Sequence, residues 1–399
     1  MDATESADDR AFRAEVRGWL ADNLVGEFGR LKGLGGSGKD LEAHEERLAW
    51  DRHLARHGWT CIGWPEEHGG RGLSLARQVI FHEEYARADA PARVNHLGEE
   101  LLGPTLIAFG TPAQQERFLP KIAAVEELWC QGYSEPGAGS DLANVQTRAR
   151  LEGDEWVVDG QKVWTSLAQF AEWIFVLART EPGSQRHHGL SFLLVPTRQE
   201  GVEIRGIEQL TGGAEFNEVF FTGARTDADL VVGQPGQGWA VAMGLLGFER
   251  GVSTLGDQVG FRRELDALID LARANGSFDD PVVRDHLARA DVELEVIRLN
   301  ALRTLGQSGD AATAAKSASI AKLLWAGWHR TLGELAMLVR GTDALTTGPG
   351  YDLDEWQRLF LFSRADTIYG GSDEIQRNIL AERVLGLPRE HRPSQEMKA

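Results

Sequence analysis

Four short stretches of the 399-residue chain carry side chains able to do chemistry. The first, Trp129 to Leu142 (WCQGYSEPGAGSDL), leads from a run able to form a buried strand, Trp129 to Tyr133, into a loop dense in glycine, hydroxyl and carboxyl groups. Glycine has no Cβ and adopts positive φ, so residues such as Gly139 let the backbone come close to a ligand. The loop's N–H groups and the hydroxyls of Ser134 and Ser140 suit a polar, planar or anionic group. By composition alone, an ordinary turn-rich connection fits equally well. The second stretch, Gly160 to Ser166 (GQKVWTS), is a turn running into a strand that ends on the Trp164 indole and the Thr165 and Ser166 hydroxyls. An exposed indole beside hydroxyls suits one face of a flat aromatic ligand. In isolation, a strand with a core tryptophan is the simpler reading.

The third stretch sets Glu249 beside Arg250 inside the apolar helical run AVAMGLLGFERGVSTLG. A solvated helix face or a buried ion pair competes there with a functional role. A carboxylate desolvated in such surroundings has its pKa raised, as a general base near neutral pH requires. The fourth, Ile368 to Gln376 (IYGGSDEIQ), is a Gly-Gly turn whose Ser/Asp cap opens the last helix. Helix N-terminal N–H groups there can hold an anion or a carbonyl.

The elements that must position these residues follow from periodicity. Apolar residues recur at helical spacing from Asp8 to about Val25, and further helices are expected over Leu41–His57, Leu75–Arg87, Leu101–Phe109 and Pro112–Val125. Between about 129 and 235 the chain changes to short apolar or alternating runs (WVVDG, WIFVLART, LSFLLVP, EVFF), separated by turn residues, which read as a β-sandwich or barrel. Helical periods then return over Trp239–Thr254, Arg262–Ala274, Val282–Leu305, Thr313–Val339, Asp354–Ile368 and Asp373–Leu385. The expected organisation is α+β: a helical domain over 1–125, a β-domain over 126–236 and a helical domain over 237–399.

Composition narrows the function classes. The chain is 42% hydrophobic and 26% charged, which is globular, and its net charge of −18 argues against nucleic acid or an anionic membrane as partner. Cys61 and Cys130 sit in apolar runs without metal-type spacing, as small buried residues in a reducing compartment do. An acidic N-terminus without a secretory pattern, and no apolar run of transmembrane length, lead to the expectation of a cytoplasmic protein without a membrane span.

Taken together and in this order, YSEPGAGSDLA, DGQKVWTS, GFERG and IYGGSDEIQRNILAERVLGLPR resemble the acyl-CoA dehydrogenase family, as do GWPEEHGGRGLS and TPAQQERFLPKI. The resemblance spans essentially the whole chain. It implies a helical N-terminal domain, a middle β-domain and a C-terminal four-helix bundle, with FAD between the last two. Position by position, Tyr133 and Ser134 match residues lying against the flavin ring, with Ser134 in place of the usual Thr. Gly139 and Ser140 match the loop near flavin and thioester, so Ser140 is also a substrate-side residue. Trp164, Thr165 and Ser166 match the indole and hydroxyl segment on the flavin's other side, Ser166 at the flavin N5. Ser372 and Glu374 match positions near the cofactor, and the Gly370 N–H matches the group that, with a ribityl hydroxyl, holds the thioester carbonyl.

The chemistry implied is removal of the α proton of an acyl thioester by a base while flavin N5 takes a hydride from the β carbon. The thioester is one of CoA or of an acyl carrier protein, and the electrons pass to an electron-transfer flavoprotein. Many members carry the base as a Glu directly after the Tyr of a Tyr-Glu-Gly segment. This chain has Tyr369-Gly370-Gly371, so the base is expected at Glu249, as in a branch that keeps its Glu on a bundle helix before an Arg, here Arg250. Members with the base there often accept branched or bulky acyl groups, including those with ring systems, which implies a steroid-derived or branched acyl chain. The family's Arg-x-x-Phe-Gly segment is absent after Gly251, and VRGTDALTTGPGY stands in place of its Gln-rich Gly-Gly segment. Relatives with such gaps can form mixed assemblies in which two different chains share each FAD site. A homodimer or homotetramer, or a heterotetramer with a related chain, is therefore expected. The alternatives are a partner subunit of such a complex, or an oxygen-using flavin oxidase or hydroxylase of the same fold.

Overall fold

The computed structural model describes residues 6–248, 253–305 and 311–389. Its first part is helical: α1 (Ala7–Asn23), the short α2 (Gly26–Gly29), α3 (His44–Arg56), α4 (Leu75–Arg87), α5 (Gly103–Phe109) and α6 (Pro112–Ala123). Local signals set several of these boundaries. Ser6 and Ser74 cap α1 and α4, and Thr111 with Gln114 forms a reciprocal capping box ahead of Pro112. The expected helix from Leu101 instead begins as a π segment over Leu97–Leu102 and becomes α-helical at Gly103. At Gly103 a Cβ would lie 1.8 Å from the Trp64 ring, so close packing requires glycine there.

One buried carboxylate ties α1 to α4. Glu84, only 2% exposed, accepts hydrogen bonds from Arg13 at 2.7 Å and Arg17 at 2.9 Å, and also from Arg87. Burial works against its charge, but the three guanidinium groups outweigh that and hold its pKa down at about 2. The folded pKa lies below the ordinary 4.5, so this contribution to stability is complete above about pH 4.5 and is lost as the pH falls toward 2. Glu84→Gln is accordingly expected to destabilise the protein at neutral pH and to flatten the dependence of melting temperature on pH between 4.5 and 2. An unchanged acid slope would contradict this.

The middle of the chain forms β1 (Trp129–Gly132), β2 (Arg148–Glu152), β3 (Glu155–Ser166), β4 (Trp173–Arg179), β5 (Leu190–Pro196), β6 (Val202–Ile207), β7 (Phe216–Asp227) and β8 (Val231–Val232). They hydrogen-bond in the order β6-β7-β3-β2-β4-β5-β8, with β1 paired in parallel to β4. The β2–β4 link is a single pair, Arg148 opposite Arg179, and the two halves of the sheet fold toward each other about it. Ile174, Val176, Leu193 and Val195 pack across this fold against Val158, Val219 and Phe221. The other faces of β4 and β5, through Phe175, Leu177, Phe192 and Leu194, pack with Leu102, Leu106, Phe118 and Ile122 of the helical domain. Both faces are thus buried, which is why these strands read as continuous apolar runs.

The chain ends in α7 (Gly238–Phe248), α8 (Ser253–Asn275), α9 (Pro281–Leu305), α10 (Ala311–Arg340), α11 (Glu355–Asp366) and α12 (Asp373–Ile379). Helices α8 to α11 share one core built from Leu268, Leu287, Leu294, Trp328, Leu332 and Trp356, the expected four-helix bundle. Helix α8 begins at Ser253, where the expected helix begins at Arg262, and α7 reaches Phe248, where the expected helix runs on to Thr254; Gln258, in the expected gap, is buried within α8. Asp354 caps α11 by accepting from the backbone N–H groups of Trp356 and Gln357. No helix among the described residues is long and apolar enough to cross a membrane.

Candidate active site

Strand β1 delivers Tyr133 into the junction between the sheet and the helical domain. Its ring stands edge-on to Phe175 and Phe192, which are themselves stacked with centroids 5.6 Å apart. The loop then tightens at once, with Glu135 and Ala138 exchanging backbone hydrogen bonds of 3.0 and 3.1 Å. This turns Gly139 and Ser140 outward into the exposed part of the loop. A Cβ at Gly139 would meet nothing within 4 Å, so no protein packing demands glycine there.

Beneath the loop lies an ion pair. Lys162 is fully buried, and its ammonium donates to Glu135 Oε1 at 2.8 Å, the Tyr133 carbonyl at 3.0 Å and the Leu177 carbonyl at 2.8 Å. Glu135, 7% exposed, also accepts from the backbone N–H groups of Gln146 at 2.6 Å and Thr147 at 2.9 Å. Burial pulls the Lys162 pKa down to about 8 against the attraction of Glu135, so the pair is ionised at neutral pH. All three protons of the ammonium are used, joining the end of β1, the loop, β3 and β4 at one point.

Just beyond Lys162 the β3–β7 register slips, and Trp164 sits in the slip at φ +60°. Its indole is 57% exposed and meets Phe216 edge-on at 6.3 Å. The Val163 N–H donates to the Ser134 carbonyl at 2.9 Å, so Tyr133, Ser134 and Trp164 are brought to neighbouring positions. Ser166 is half-buried opposite Phe216. Thr165 is fully buried, its carbonyl accepts from Asn217 at 3.1 Å, and its hydroxyl has no hydrogen-bond partner among the described residues.

A second group lies at the end of the bundle. Gly370 and Gly371 take φ +61° and +83° between α11 and α12. The Gly370 N–H finds no acceptor among the described residues, while its carbonyl accepts from the buried Gln376 amide at 3.0 Å. Ser372 caps α12 by accepting from the Ile375 N–H, and Glu374 points to solvent, its carboxyl held low by hydrogen bonds from its own N–H and from Ser372. Glu249 and Arg250 lie outside the described residues. Sequence analysis assigns Glu135 and Lys162 no role. The available signal is a single lysine inside a strand-forming run, between Val157–Val158 and Val163–Trp164, where a buried charge calls for a partner.

Sequence models of the acyl-CoA dehydrogenase N-terminal, middle and C-terminal domains match residues 6–126, 130–224 and 236–385 in turn. The chain belongs to the acyl-CoA dehydrogenase family, and it has that family's three-domain fold. It is 67% identical to the acyl-CoA dehydrogenase IpdE1 of Mycobacterium tuberculosis, with 96% of this chain and 99% of the relative covered. To IpdE1 of Mycolicibacterium smegmatis it is 64% identical, with 95% and 98% covered. Among solved structures, the Tcur3481–Tcur3483 steroid ACAD superposes with a TM-score of 0.83 at 30% identity, covering 98% of this chain and 100% of that one. The ChsE4–ChsE5 complex from Mycobacterium tuberculosis does so with a TM-score of 0.80 at 32% identity, over the same shares.

Proposed function

We propose that the protein dehydrogenates the α,β bond of a ring-bearing, steroid-derived acyl-CoA, with FAD held at the Tyr133, Ser134 and Trp164 surface. The observation that carries the flavin reading is Trp164. A tryptophan at positive φ and a large indole left mostly in water are each unfavourable, and a flat ring stacked on the indole offsets the second. The half-buried Ser134 and Ser166 lie close to that indole along the chain and across the Val163–Ser134 hydrogen bond. FAD bound there supplies the hydride acceptor. Trp164→Ala is then expected to weaken flavin binding about two- to ten-fold, one lost ring stack being worth roughly 0.5–1.5 kcal/mol. Flavin content and Kd measured by absorbance would check this, and unchanged affinity would contradict it.

In this reading Glu249 takes the α proton. The charge that develops on the thioester oxygen needs a fixed donor, and the Gly370 N–H, without an acceptor among the described residues, provides one. Ser140, exposed at the loop tip, and Arg250 stand on the substrate side, and Ser372 and Glu374 on the cofactor side. The electrons go on to an electron-transfer flavoprotein. The steroid class rests on the likeness to the Tcur3481–Tcur3483 steroid ACAD. The likeness to the ChsE4–ChsE5 complex and to a steroid ACAD named for both Tcur3481 and Tcur3483, together with the missing Arg-x-x-Phe-Gly segment, supports a heteromeric assembly sharing FAD sites. An anaerobic absorbance titration with thioesters, from short straight chains to a sterol side-chain ester, tests the reading. Bleaching of the oxidised flavin by the ring-bearing class is expected. Yellow protein that no thioester bleaches would overturn it, whereas colourless protein that turns yellow on co-expression with a related chain would favour the partner-subunit role.

A further inference from the structure

The reading above leaves unused a buried ionic cluster in the C-terminal bundle. His329 on α10 is 8% exposed, and Asp366, the last residue of α11, is 1% exposed. His329 Nδ1 lies 2.5 Å from Asp366 Oδ2, and its Nε2 lies 3.2 Å from Glu264 Oε2 on α8. Burial alone would discharge the ring, but the hydrogen bonds to Asp366 and Glu264 outweigh it and hold the pKa up at about 10, so both ring N–H groups donate at neutral pH. The other Asp366 oxygen, Oδ1, accepts from the Tyr369 hydroxyl at 2.7 Å. The Lys322 ammonium donates to the Asp366 carbonyl and lies 4.7 Å over the Tyr369 ring. One imidazolium therefore links α8 and α10 to the turn that follows α11.

Stability alone does not account for this arrangement, since apolar residues of the same volume commonly replace a buried ion pair at no loss. Its position does. Tyr369 immediately precedes two glycines at positive φ, and glycine supplies no rigidity of its own. Whatever holds Gly370 still must act from outside the turn. Gln376 grips the Gly370 carbonyl from the α12 side, and the Asp366–Tyr369 hydrogen bond grips the other. We propose that His329 and Asp366 are positioning residues that act through the Tyr369 hydroxyl to clamp the Tyr369–Gly371 turn, fixing the Gly370 N–H as a donor to the substrate oxygen. The final clause rests on the role given to Gly370 above; the clamp itself does not. A donor displaced by even 1 Å loses much of its value to a developing charge, so loosening the clamp slows the reaction more than it weakens binding.

The test uses flavin-loaded protein, with its partner chain if loading requires one, as wild type, Tyr369→Phe, His329→Gln and the double variant. Tyr369→Phe removes one part-exposed hydroxyl and keeps the experiment decisive if His329→Gln folds poorly. Amide hydrogen exchange over residues 367–376 is expected to quicken about ten-fold in Tyr369→Phe, with exchange in β1 and β3 and the flavin content unchanged. The limiting rate of flavin reduction by thioester is expected to fall about ten-fold, with half-saturation moving less. The double variant is expected to be no slower than the slower single one, because both act through one line of contacts. Unchanged exchange in Tyr369→Phe would overturn the clamp, and quickened exchange with an unchanged rate would overturn its link to Gly370. Wild-type flavin that no thioester reduces would instead overturn the dehydrogenase reading, leaving the exchange data to decide the clamp.

Discussion

Glu249→Gln is expected to bind FAD and thioester as the parent does and to lose reduction of the flavin by about 10²–10⁴-fold or more, the range set by removing a positioned general base. The amide keeps the size and hydrogen-bonding reach of the carboxylate but cannot accept a proton. Ground-state binding therefore survives, and only the step that breaks the α C–H bond fails. Two readouts separate these effects: the shift of the flavin absorption band on adding thioester, and the anaerobic rate of its bleaching. A retained shift with lost bleaching supports Glu249 as the base. Bleaching at the parental rate would sink the assignment, and Gly370, without a side chain, could not serve as base in its place.

Lys162→Met is expected to be the most damaging substitution for the fold, costing about 3–5 kcal/mol in urea unfolding, as removal of one partner of a buried ion pair does. Glu135, 7% exposed, would keep two backbone donors and lose its cation. The end of β1 and the Leu177 carbonyl would lose the ammonium that joins them. Flavin content should fall as well, because Ser134 and Trp164 are set by the same contacts. Adding Glu135→Gln to Lys162→Met should restore part of the stability, since the buried charge is then gone. A single variant within 1 kcal/mol of the parent, or a double variant no better than the single, would refute the anchoring role.

Much of the fold was legible in the sequence because one physical rule produces each signal. Helix α4 is legible at Leu75–Arg87 because its apolar spacing is helical, and the structure adds the Ser74 cap at its start. Strands β4 and β5 were read from apolar runs because both their faces are buried. The order of helical, β and helical domains followed from the change of period. Less was legible where a backbone state depends on neighbours far along the chain. The π segment at Leu97–Leu102 and the start of α8 at Ser253 could not be told from their own residues, since packing against other elements overrides local propensity.

The sequence by itself pointed to the family, supplied the hydroxyls, indole and glycines of the candidate site, and led to the expectation of a base at Glu249, since Gly370 has no side chain. Those depend on which residue types occur in which order, and the chain states that directly. Only the tertiary structure decided that Lys162 pairs with Glu135, that Trp164 is turned out at positive φ in a register slip, and that His329 on α10 reaches Asp366 beside the Gly370 turn. Twenty-seven residues separate Lys162 from Glu135, and thirty-seven separate His329 from Asp366. No local period couples positions that far apart. Their pairing is set by the burial of charge, which becomes unfavourable enough to select a partner only once the sheet and the bundle have excluded water.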